Sequence, residues 1–116
     1  MKKQSTKSDA AILDRLYSVI QERKASLSPD SYVASLFMQG KEKMHAKIAE
    51  EAGELVEASQ QANRHGIIHE TADLIFHIMV LLGQWNISPD EIYAELGRRW
   101  GVSGIREKES RKVKAE

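Results

Sequence analysis

The stretch 70-ETADLIFHIMVLL-82 decides the fold. Across residues 74–82 the apolar side chains cover nearly the whole circumference of a helix, interrupted only by His77. A helix that is apolar all round belongs at the centre of a bundle. On it, Glu70, Asp73 and His77 occupy one sector about 60° wide. Two carboxylates so near a core do not stay charged unless they are paired with cations or bound to metal. Salt bridges are the bland alternative, yet no basic residue lies within helical reach of Asp73 except His69 and His77. His77 itself reads as a satisfied core or supporting histidine before it reads as a metal ligand.

Upstream, the segment from Lys41 to Asn63 reads as a long helix carrying 50-EEAGELVE-57. Taken alone, that run is a solvated acidic face. A helical wheel says otherwise for two of its acids. With Ile48 at zero, Met44, Leu55 and Ala62 fall within about 40° of it, Glu51 lies about 60° away and Glu54 about 60° further round. Glu51 therefore sits at the edge of the buried stripe with Glu54 beside it, while Glu50 and Glu57 face solvent. Two helices, each offering two acids three residues apart, can converge four carboxylates on one point. Glu51, Glu54, Glu70 and Asp73 are the candidate metal ligands. An all-oxygen set suits Mg²⁺, with Mn²⁺ as a substitute, and not zinc or copper. Glu50, outside that set, is the candidate proton acceptor.

Further out the pattern stays helical. Ile12, Leu16, Val19 and Ile20 mark one face of a helix from Asp9. After the break 26-SLSPD-30, Ser28 is expected as N-cap with Pro29 at the first helical position, opening a short helix that closes at Gly40. The central helix is expected over 67–85, with Gly66 ending the connection before it. Ser88 and Glu91 have the spacing of a capping box for a last helix carrying Ile92, Tyr93 and Leu96. Nothing alternates like a strand, and there is no GxxxxGK[ST] or GxGxxG phosphate loop. The expected fold is all-α, a four- to five-helix bundle over 9–105. It is flanked by a disordered tail at 1–8 and a basic tail at 106–116.

Composition narrows the function classes. The 116 residues hold 17 basic and 17 acidic side chains, so net charge offers nothing to nucleic acid or an anionic membrane. With no cysteine, disulfides, zinc–thiolate sites and thiol nucleophiles drop out. The start MKKQSTKS has no apolar stretch behind it, so it is not a signal peptide, and the chain reads as soluble and cytoplasmic. Any anionic ligand must be met by metal or by local charge. Lys47, one helical turn before Glu51, is a candidate phosphate contact. Residues 98–116 hold seven basic side chains against three acidic, among which Arg98, Arg99 and Arg106 are the candidate phosphate contacts.

E-E-x-x-E followed downstream by E-x-x-D, here Glu50-Glu51-Ala52-Gly53-Glu54 and Glu70-Thr71-Ala72-Asp73, resembles the signature of the all-α nucleoside triphosphate pyrophosphohydrolase (MazG-like) superfamily. Within it, 31-SYVASL-36, 47-KIAEE-51, the run 70–82, and Arg98-Arg99 before 101-GVSGI-105 resemble the phosphoribosyl-ATP pyrophosphatase family over roughly residues 9–112. The resemblance implies hydrolysis of phosphoribosyl-ATP to phosphoribosyl-AMP and pyrophosphate, the second step of histidine biosynthesis, by a cytoplasmic homodimer using Mg²⁺. It places Glu51, Glu54, Glu70 and Asp73 on the ligand positions. Val33 stands where the family more often has threonine, so no hydroxyl role is assigned there. A house-cleaning pyrophosphohydrolase of non-standard nucleoside triphosphates would share the metal site. A di-iron bundle would want Glu-x-x-His, whereas position 73 is Asp.

Overall fold

The computed structural model describes residues 11–101; the expected tails and Arg106 lie outside them. Five helices follow one another: α1 (Ala11–Ser26), α2 (Tyr32–Gln39), α3 (Lys41–Gln60), α4 (Arg64–Gln84) and α5 (Pro89–Trp100). No strand occurs among the described residues, so the fold is all-α as expected. The long antiparallel pair α3–α4 makes the most extensive contact, and α1 and α2 pack across it. Their shared core is Ile20 from α1, Val33 and Leu36 from α2, Met44 from α3, and Met79 and Val80 from α4.

The helix ends explain the register. Gly40 closes α2 in the left-handed region at φ +94° and leads straight into α3. At the far end, Ser88 and Glu91 form the expected capping box, with the Ser88 N–H donating to Glu91 Oε2 at 3.2 Å. Three expectations shift. Ser28 and Pro29 belong to a turn, in which the Ser31 N–H donates to the Ser28 carbonyl. Ser31, three residues on, is the N-cap of α2, its Oγ accepting from the Ala34 N–H at 3.1 Å. Ser31 has the same cap chemistry as Ser28, and burial of Val33 and Leu36 selects it. The third helix ends at Gln60, leaving Ala62 outside at φ +53°. Gly66, read as the end of the connection, lies inside the first turn of α4. There Asn63 caps the helix by accepting from the Gly66 N–H at 3.0 Å, and a Cβ on Gly66 would lie 2.7 Å from Asn63 Nδ2.

The central position of α4 holds, with a qualification. His77, Met79, Val80 and Gly83 are buried, yet Ile68, Ile75 and Ile78 are exposed, as are Ile12 and Val19 of α1 and Ile92 and Leu96 of α5. The apolar faces are wider than one chain covers. By length and a mean hydropathy of 1.4, α4 could cross a membrane. Here it packs on three other helices and carries Glu70 and Asp73.

Candidate metal centre

The antiparallel packing of α3 on α4 brings the two acidic motifs face to face. Glu51 is 5% exposed, and its buried Oε1 has no hydrogen-bond donor; the same is true of Glu70 Oε1. Glu70 faces both Glu51 and Glu54. Its carboxyl is pushed up to about 7, first by loss of water, then by hydrogen bonds to the Glu51 and Glu54 carboxyls and by the charge of Glu54; His69 opposes the rise. These facts describe one arrangement in two protonation states. With all three acids ionised, two buried oxygens lack a donor. A proton on Glu70 turns that carboxyl into a donor to one of its two neighbours.

A proton is the smallest cation that relieves such crowding, and a divalent metal is another. Oxygens of Glu50, Glu51 and Glu54 lie within 4.8 Å of one another, and so do ligand atoms of His69, Glu70 and Asp73. Glu70 therefore connects the two groups. The donor set fits a hard cation that takes carboxylate oxygens.

Glu51, Glu54 and Glu70 converge. Asp73 stands one turn beyond Glu70, half-exposed, with Oδ2 3.5 Å from His69 Nε2. Glu50 points to solvent, and Lys47 Nζ reaches its Oε1 at 3.3 Å and Glu51 Oε2 at 3.7 Å. Burial pulls the Lys47 pKa down, but the bond to Glu50 and the nearby Tyr32, Glu50 and Glu51 hold it above the ordinary lysine value. Lys47 thus answers the carboxylates in this state. Arg98 and Arg99 are not brought to the cluster. Both bond to Glu95 one turn back, Arg98 through Nε at 3.2 Å and Nη2 at 2.7 Å and Arg99 through Nε at 2.6 Å. These bonds hold the Glu95 carboxyl down at about 2.

His77, left open by the sequence, has protein partners at both ring nitrogens. Nδ1 lies 2.9 Å from the Asp73 carbonyl oxygen and Nε2 3.1 Å from the Tyr32 hydroxyl. Tyr32 stands in the sequence only within 31-SYVASL-36, with no role expected of it. No periodicity signals a side chain whose partner lies on another helix.

Residues 13–100 match the family model described as phosphoribosyl-ATP pyrophosphohydrolase. The chain belongs to that family. Among its relatives, a protein of Geotalea daltonii named phosphoribosyl-ATP pyrophosphatase is 57% identical over 86% of this chain and 94% of its own length. Its namesake from Geobacter metallireducens is 53% identical over 86% of this chain and 92% of its own. A third, from Nitrosomonas eutropha, is 47% identical over 90% of this chain and 89% of its own. The family region spans α1 to α5 and includes both acidic motifs.

Proposed function

We propose that this enzyme hydrolyses phosphoribosyl-ATP to phosphoribosyl-AMP and pyrophosphate, the second step of histidine biosynthesis. The observation that carries the reading is the convergence of Glu51, Glu54 and Glu70 from two helices, two of their oxygens buried without donors, in a chain of this family. Glu51, Glu54, Glu70 and Asp73 hold Mg²⁺, for which Mn²⁺ can substitute. When bound, the ion draws charge from phosphoryl oxygens and acidifies water. Lys47 keeps Glu50 and Glu51 oriented through its ion pairs. Glu50, exposed beside the convergent acids, takes the proton of the attacking water. Arg98 and Arg99, held side by side by Glu95, and Arg106 are our candidates for the substrate's remote phosphate.

The enzyme acts in the cytoplasm, and it acts as a homodimer. An apolar recess of about 210 Å³ between α1, α4 and α5 is lined by Leu13, Ile75, Ile78, Leu82, Ile92 and Tyr93 among others, of which Ile75, Ile78 and Ile92 are exposed. A second copy covering them would remove a large apolar patch from water. The decisive assay measures pyrophosphate release from phosphoribosyl-ATP beside a panel of standard and non-standard nucleoside triphosphates, with Mg²⁺. Selective turnover of phosphoribosyl-ATP is expected. Equal turnover of the panel would replace this reading with nucleotide house-cleaning.

A further inference from the structure

A cation held by the carboxylates would answer the phosphates of the proposed substrate, which leaves its base without an assigned partner. On α2 stands an aromatic side chain that the proposed chemistry does not use. Tyr32, the first residue of α2, is 51% exposed, yet its ring is held from several directions. Phe76 lies almost parallel to it, with centroids 6.1 Å apart and planes 19° apart, and His77 meets it edge-on at 6.0 Å. The direction of the Tyr32–His77 hydrogen bond follows from the other ring nitrogen. Nδ1 faces the Asp73 carbonyl, which can only accept, so Nδ1 carries the proton and Nε2 the lone pair. The Tyr32 hydroxyl therefore donates to Nε2.

This relay ties the phenol to the turn of α4 that carries Asp73. Lys47, which pairs with Glu50 and Glu51, lies near the same tyrosine. The ring thus stands on the side of α4 that carries Asp73. An exposed tyrosine normally loses rotamer freedom when a ligand covers it. A tyrosine already locked by its neighbours loses much less, which makes it an effective flat contact.

We propose that Tyr32 is the platform on which the purine ring of the substrate stacks, with its ring positioned by Phe76 and by the edge of His77. The proposal rests on the nucleotide-hydrolase reading above. Stacking needs the ring and not the hydroxyl, so Tyr32→Phe and Tyr32→Leu separate it from a polar role. Steady-state kinetics with phosphoribosyl-ATP should show KM rising roughly ten- to a hundred-fold in Tyr32→Leu, with kcat little changed and Tyr32→Phe close to wild type. Saturation-transfer NMR with AMP as probe needs no turnover. Transfer to the adenine protons is expected in wild type and Tyr32→Phe and should be lost in Tyr32→Leu. Tyr32→Leu with a wild-type KM, or Tyr32→Phe as impaired as Tyr32→Leu, overturns the platform. So does a changed sedimentation coefficient in Tyr32→Leu, which would assign the ring to a subunit interface. Absent phosphoribosyl-ATP turnover in wild type would instead overturn the proposed function, while the AMP measurement still decides the platform.

Discussion

Glu70, with its carboxyl raised from the ordinary 4.5 to about 7, binds a proton more tightly in the folded chain than in the unfolded one. Between those two values the folded state carries the extra proton, so this group's contribution to stability falls as pH rises through that window. Metal-free enzyme should therefore lose melting temperature from about pH 4.5 to about pH 7 on account of Glu70, and Glu70→Gln should flatten that slope. Calorimetry in a chelating buffer checks it; equal slopes in both proteins would refute the described crowding. Metal acts in the opposite sense, since it competes with the proton, and apparent Mg²⁺ affinity should drop as pH falls below about 7. Neutralising a ligand tests the same site from another side. Glu51→Gln and Asp73→Asn should lose turnover while keeping the wild-type circular dichroism spectrum, and Glu51→Gln should melt no lower than wild type without metal. Wild-type turnover in either variant would remove that residue from the ligand set. Glu51 was legible in the sequence because its angle on the helix wheel sets its burial. The role of Glu70 as the link between the two groups was not, because a wheel describes one helix and says nothing of the distance to the next.

The helices themselves depend on a few junctions. The α3–α4 turn positions both acidic motifs, and Asn63 holds it through its bond to the Gly66 N–H. Asn63→Ala should cost about 1 kcal/mol, within the usual range for a lost N-cap. Thermal or urea melting measures it, and an unchanged midpoint would mean that the cap contributes nothing. At the other end of α4, Gly83 lies against α1. A Cβ there would lie 2.9 Å from Ile20 Cγ2 and 3.4 Å from Phe37 Cζ. Lys24 Nζ crosses the same junction to the Gly83 carbonyl at 2.8 Å and Asn86 Oδ1 at 2.9 Å. Ala in place of Gly83 should therefore destabilise by about 1–3 kcal/mol through overpacking. Helix number and order were legible from periodicity and caps. The α2 start was misplaced because Ser28 and Ser31 are equally good caps, and only the packing of Val33 and Leu36 separates them.

At the scale of the molecule, one chain leaves Ile75, Ile78 and Ile92 in water around a recess of about 210 Å³. Sedimentation equilibrium should return a dimer mass, and Ile78→Glu should shift it toward monomer, because a charge in a covered apolar face is costly. A monomer in wild type would leave that face to another role. Ligand linkage works at this scale too. An ion that binds only the folded state raises the melting temperature by mass action. Millimolar Mg²⁺ should raise it in wild type and much less in Glu51→Gln.

By itself the sequence determined that this chain is helical throughout its centre, that α4 is the central helix, and which acids sit at the edge of buried faces. Those properties follow from the 3.6-residue period and from caps, which act within a few residues. Tertiary structure decided everything that depends on the spacing between helices. It brought Glu70 against Glu51 and Glu54 and bound His77 to Tyr32 across α2 and α4. Such partners are chosen by which faces the core packs together, and a pattern confined to one helix does not contain that choice.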